Sequence, residues 1–169
     1  IANGGYKIKP KILTDDNQLT SEQVTNAMES SKLNNLYKPL FLNQKNIKII
    51  QEAMFSSTNE LRGTSYKSRI DDPKYQFAGK TGTAQVKRIS KRERELDLKT
   101  FQIPYKERDH ALYVAFGPYI NPRYALSIIV EHGGSGSAAA APMAKELFKI
   151  IIDKHQLRKQ SPDYKEFNI

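Results

Sequence analysis

The chain has 169 residues, a formal net charge of +9 and an apolar fraction of 38%. No apolar run approaches the roughly 20 residues of a membrane-spanning helix, so the sequence contains no such span. Cysteine is absent, which excludes disulfides, thiolate zinc sites and a cysteine nucleophile while leaving the compartment open.

The chain opens at Ile1 rather than Met, on Ile1-Ala2-Asn3-Gly4-Gly5. Asn-Gly-Gly is typical of a helix stopping in a left-handed residue. The sequence is therefore expected to be a fragment whose first part was cut away.

Residues 6–21 read as extended chain followed by a turn at Asp15-Asp16-Asn17. Residues 22–42 are polar apart from Leu40-Phe41-Leu42. Asn43 is a candidate N-cap, and Ile47, Ile50 and Met54 recur at helical spacing, which predicts a helix over about 44–56. Gly63-Thr64-Ser65 follows, with a stop at Asp71-Asp72-Pro73. Phe77 to Val86 reads as a strand. Residues 87–108 hold eight Lys/Arg against four Asp/Glu and predict a mobile loop with little to bury.

Ala111–Phe116 and Tyr124–Val130 are the two clearest strands, joined by the turn-rich segment 117–123 into a hairpin. Gly133-Gly134-Ser135-Gly136-Ser137 reads as a flexible strand-to-helix turn. A long amphipathic helix is predicted over 138–156, with Met143, Leu147, Ile150 and Ile151 as its buried stripe. The end, 159–169, is polar. The order of elements suits an antiparallel sheet with packed helices, an α+β arrangement.

Two motif readings compete at Gly79-Lys80-Thr81. A phosphate-binding loop needs a second glycine five residues earlier, but position 74 is Lys, so that reading fails on spacing. Lys80-Thr81-Gly82-Thr83 instead matches the K-T-G-T element of serine acyl-transferases that react with β-lactams. A strand-edge lysine supplies positive potential. The Thr81 and Thr83 hydroxyls can donate to a carboxylate, and Gly82 leaves room for a substrate backbone. A backbone N–H beyond the glycine can meet a developing oxyanion. K-T-G alone is a weak match.

The surrounding residues make it specific. IANGG at 1–5, FAGKTGTAQV at 77–86 and DHALYVAFGPYINPRYALSIIVEHGGSGSAAAAPMAKELF at 109–148 carry the comparison. On these, the chain resembles the transpeptidase domain of class B penicillin-binding proteins, and within them the cell-elongation type. The resemblance implies a five-stranded antiparallel sheet between helices. This chain, 1–169, would be the C-terminal portion of one such domain, supplying the last three strands and the C-terminal helix. Its parts would be the KTGT strand at 77–86, the charged loop at 87–108, the hairpin at 111–130 and the helix at 138–156.

The implied activity is D,D-transpeptidation, which cross-links peptidoglycan stem peptides through an acyl-enzyme on serine that β-lactams intercept. Carried onto this sequence, Lys80 and Thr83 are the catalytic candidates. Lys80 would bond to the serine of a second motif, and the Thr83 N–H would be half of the oxyanion hole. Thr81, Gly82 and Thr83 would bind the substrate or antibiotic, with the two hydroxyls on its carboxylate. No cofactor and no metal is implied. The implied partners are the stem peptide, β-lactam antibiotics and the cell-elongation machinery. The parent would be anchored at the periplasmic face of the inner membrane.

The family nucleophile lies in an S-x-x-K motif, and no serine here has lysine three positions later. S-x-N matches once, at Ser57-Thr58-Asn59, out of family order relative to IANGG, and reads as a chance match at a helix end. The chain alone is therefore expected to be inactive. A truncated sheet would leave an unpaired edge that invites self-association.

His110, Glu131 and His132 lack metal-ligand spacing, and Glu131-His132 reads as an exit-turn pair after a strand. The basic loop reads as a solvated excursion, with attraction to an anionic lipid or glycan precursor as the sharper alternative. The competing function is a small basic nucleic-acid or anion-binding module, which the +9 charge invites. It leaves the apolar hairpin and the KTGT strand without a role, and Lys87–Arg94 contains no interleaved aromatic.

Overall fold

A computed structural model of the chain describes residues 1–7, 43–91, 95–96 and 98–160. The extended segment and turn expected over 6–21 lie almost wholly outside the described residues, as does the Leu40–Leu42 cluster. Two compact units are present: Ile1–Gln51 with Asp153–Ile169, and Glu52–Ile152.

In the first unit, the Asn3 Oδ1 accepts from the N–H groups of Gly5 and Tyr6, each at 3.2 Å. Gln51 Nε2 donates to the Ile1 carbonyl at 2.8 Å. Helix α1 runs Gln44–Asn59, three residues past its expected end, and from Glu52 onward it belongs to the second unit. Asn43 caps it: its Oδ1 accepts from the Lys45 N–H at 3.0 Å, satisfying one of the orphan donors of the first turn.

The second unit is built on a three-stranded antiparallel sheet in the order β1-β2-β3, with β1 Ala78–Ala84, β2 His110–Gly117 and β3 Tyr124–Val130. The register pairs Thr81 with Tyr113 and Tyr113 with Ile128. Side chains alternate across a strand. One face of the sheet therefore carries Gly79, Thr81, Thr83, Ala111, Tyr113, Ala115, Leu126, Ile128 and Val130. The other carries Lys80, Gly82, Leu112, Val114, Ser127 and Ile129. The first face holds the core, where Tyr113, Ala111 and Ala115 are buried with Phe77, Ala140, Ala141, Ala144, Phe148 and Ile152. Phe77 stacks on Phe148 at 4.9 Å between centroids and meets Tyr113 edge-on at 6.4 Å. On the second face Val114 and Ile129 are exposed.

The C-terminal helix departs from expectation in two ways. It begins with a π-helical turn, Gly136–Ala140, before α-helix α2, Ala141–Lys159. Its buried stripe is also different. Ala141, Ala144, Phe148 and Ile152 are buried, whereas Met143, Leu147 and Ile150 are 49%, 41% and 50% exposed and Ile151 is half-buried. Apolar residues occur around most of this helix, so periodicity alone does not choose a face. The alanines decide it, because their small side chains let the helix lie close against the sheet.

The segment 133–137, expected to be flexible, is tied down, as is His132 before it. The Gly134 N–H donates to the Asp109 carbonyl at 2.8 Å, and Ser135 Oγ lies 3.0 Å from Ser137 Oγ. The His132 N–H donates to His110 Nδ1 at 3.0 Å, and His132 Nδ1 lies 3.0 Å from the Arg108 carbonyl. The basic loop is likewise not bare chain. Its described part contains 3-10 turns at Thr100–Gln102 and Tyr105–Glu107. Lys87 and Glu107 form an ion pair of 2.6 Å across its base, and the Tyr105 ring rests on His132 at 5.0 Å. Composition showed that this segment buries little apolar surface, but not that its two ends would close on each other.

Candidate functional site

Lys80-Thr81-Gly82-Thr83 occupies the centre of β1. Because β1 is an outer strand, one of its edges has no strand partner among the described residues. A free edge offers backbone N–H and C=O groups to an extended peptide. Strand alternation divides the motif. Lys80 and Gly82 share a face with Val114 and Leu112, and Thr81 and Thr83 share the opposite face with Tyr113 and Ala111. The four residues are thus brought together along one edge rather than on one face.

Lys80 is exposed, and its Nζ donates to the Thr81 carbonyl at 3.0 Å. Its ammonium lies beside the strand it belongs to, so positive charge is held at the edge. Thr83 is exposed, while Thr81 and Gly82 are half-buried. A Cβ at Gly82 would lie 3.3 Å from Leu112 Cβ, so a side chain there would be crowded by Leu112 alone.

Beneath the motif lies a buried hydroxyl cluster that sequence reasoning missed. Tyr113 Oη is 2.9 Å from Thr58 Oγ1 and 3.1 Å from Ser65 Oγ. Ser65 Oγ also donates to the Ser57 carbonyl at 3.0 Å, and Thr58 Oγ1 donates to the Met54 carbonyl at 3.3 Å. All three side chains are buried and satisfied, as buried polar groups must be. Burial pushes the Tyr113 phenol above its ordinary value of 10.0, and the hydrogen bonds to Ser65 and Thr58 counter this only in part. The cluster fastens the end of α1 and the Ser65 turn to β2. Gly79 is required by it, because a Cβ there would overlap Tyr113 Oη and Cζ.

The Ser57-Thr58-Asn59 match stands at the end of α1, and each of its residues has a partner near the motif strand. Asn59 Nδ2 donates to the Phe77 carbonyl at 3.0 Å. Ser57 Oγ is 3.2 Å from Thr64 Oγ1, which is 3.4 Å from Thr81 Oγ1. Nothing in the sequence marked Thr64 as a neighbour of the motif. Its only local signal is the turn-forming company of Gly63 and Ser65.

Among the described residues no group of three or more His, Cys, Asp or Glu side chains could hold a metal, and no helix is long and apolar enough to cross a membrane. The chemistry available at β1 is recognition and polarisation: an ammonium, two threonine hydroxyls and a backbone edge without a strand partner among the described residues.

A lysine-threonine-glycine strand at the edge of an antiparallel sheet, backed by a C-terminal helix, belongs to the class of serine acyl-transferases that react with β-lactams. Residues 1–149 match the penicillin binding protein transpeptidase domain. The chain belongs to that family, and carries part of its transpeptidase domain.

Among curated relatives, the peptidoglycan D,D-transpeptidase MrdA of Acinetobacter baumannii is 46% identical over 96 residues, 55% of this chain and 13% of that protein. MrdA of Salmonella typhimurium is 37% identical over 105 residues, 62% of this chain and 16% of that protein. MrdA of Haemophilus influenzae is 28% identical over 164 residues, 94% of this chain and 24% of that protein. The penicillin-binding protein PBP2 of Helicobacter pylori, solved in complex with MreC, superposes with a TM-score of 0.50 and 32% identity, over 68% of this chain and 18% of that one. The chain thus spans less than a quarter of the length of these relatives. The family accounts for the hairpin and the KTGT strand, and leaves the nucleic-acid reading of the +9 charge without support.

Proposed function

We propose that this chain is the substrate-recognising sheet edge of a serine D,D-transpeptidase that cross-links peptidoglycan stem peptides during cell elongation. In this reading the stem peptide lies along β1. Lys80 provides positive charge and a hydrogen bond to a serine of the parent's second motif. The Thr81 and Thr83 hydroxyls receive the terminal carboxylate, Gly82 leaves room for the peptide backbone, and the Thr83 N–H faces the oxyanion. A β-lactam would take the same place, its carboxylate on the same hydroxyls.

The observation that carries the reading is the position of Lys80–Thr83 on an outer strand, with a free edge among the described residues. Membership of the transpeptidase family and the peptidoglycan D,D-transpeptidase names of the relatives support it. The parent would work at the periplasmic face of the inner membrane with an MreC-like partner, as the PBP2 relative is found in complex with MreC.

Labelling by a fluorescent penicillin tests this. The full-length protein containing this chain is expected to form a stable acyl-enzyme, and Lys80→Ala is expected to lose it. Equal labelling of the Lys80→Ala protein would defeat the assignment.

A further inference from the structure

A threonine hydroxyl has one proton. If Thr81 donates that proton to a carboxylate, its oxygen keeps lone pairs that need a donor. The donor at hand is Thr64, whose Oγ1 lies 3.4 Å from Thr81 Oγ1, and Thr64 in turn has Ser57 Oγ at 3.2 Å. The three hydroxyls form a file that can point one way, from Ser57 to Thr64 to Thr81 and out to the anion. Hydrogen bonds aligned in one direction polarise one another, and a charge at the end strengthens the alignment. Catalytic hydrogen bonds are often long before substrate binds and tighten afterwards.

Thr64 is held where it can do this. Its neighbour Ser65 uses both its N–H and its Oγ on the Ser57 carbonyl, each at 3.0 Å. Gly63 on its other side has no room for a side chain, because a Cβ there would run into the carbonyl oxygens of Ser56 and Ser57. The turn is thereby folded tightly onto the end of α1. Thr64 itself remains exposed and makes no contribution to the core.

We infer that Thr64, supported by Ser57, is a positioning residue that orients the Thr81 hydroxyl toward the carboxylate of the substrate or β-lactam. The inference rests on the proposed role of Thr81.

The test is the second-order acylation rate of the full-length protein with a fluorescent penicillin, with thermal midpoints to verify folding. Thr64→Val is expected to slow acylation about fivefold, the effect of one neutral hydrogen bond, with an unchanged midpoint. Thr64→Ser is expected to restore most of the rate. In a Thr81→Val background, Thr64→Val is expected to have no further effect, because it acts through Thr81. A slow Thr81→Val protein beside a normal Thr64→Val protein overturns the inference alone. So do additive losses in the double variant, or failure of Thr64→Ser to recover. A normal rate for Thr81→Val overturns the carboxylate role and the inference together.

Discussion

The phenol of Tyr113 lies over Gly79, in the space that a side chain at that position would fill. Gly79 immediately precedes the Lys80–Thr83 motif, so the buried hydroxyl cluster abuts the strand that carries the open site. Gly79→Ala is expected to destabilise the fold by about 1–3 kcal/mol, the usual range for overpacking. Denaturant melts of the variant would show it, and an unshifted midpoint would mean that Tyr113 moves aside freely.

Tyr113 itself gives a pH prediction. Its phenol titrates above 10.0, chiefly because burial disfavours the phenolate. A folded-state value raised above the unfolded one contributes stability that is complete below the unfolded value and disappears as pH rises through the folded one. Stability is therefore expected to hold up to about pH 10 and then fall as unfolding releases the proton. In Tyr113→Phe this alkaline loss should shrink. Melts of both proteins from about pH 8 to 11 make the comparison, and parallel curves would count against the assignment.

The revised stripe on α2 predicts opposite outcomes for two apolar residues on the same helix. Phe148 is fully buried and stacked on Phe77, so Phe148→Ala is expected to cost about 3–5 kcal/mol. Met143→Gln, at a half-exposed position, is expected to change stability by no more than about 0.5 kcal/mol. Comparable losses at the two sites would restore the stripe that periodicity suggested.

The isolated chain is expected to take up no fluorescent penicillin, since no serine in it is followed three residues later by lysine. A covalent adduct on this chain, detected by intact mass, would require a nucleophile other than the family's.

Strands β2 and β3 were legible because they are rich in β-branched and aromatic residues and turn residues separate them, whereas β1 was legible as the short segment around Lys80-Thr81-Gly82-Thr83. Asn43 was legible as a cap for a local reason: the donor it satisfies, on Lys45, lies two residues away. The hydroxyl cluster was not legible. Its bonds join Thr58 and Ser65 to Tyr113, 55 and 48 residues further along the chain, and serine and threonine in a polar stretch ordinarily read as surface. Thr64 was hidden for the same reason. The buried face of α2 was not legible, because helical periodicity favours large apolar residues and its inward face is built partly of alanine. Against a sheet, alanine allows the closest approach.

Helix α2 carries apolar side chains on two sides: Ala144 and Phe148 against the sheet, and Met143, Leu147 and Ile150 toward solvent. An amphipathic helix on the outside of a protein ordinarily has a single apolar stripe. The sheet repeats the pattern, with Val114 and Ile129 bare on the face opposite its core. Helix and sheet each keep apolar side chains on the side away from their shared core, so the unit offers apolar surface in two directions at once.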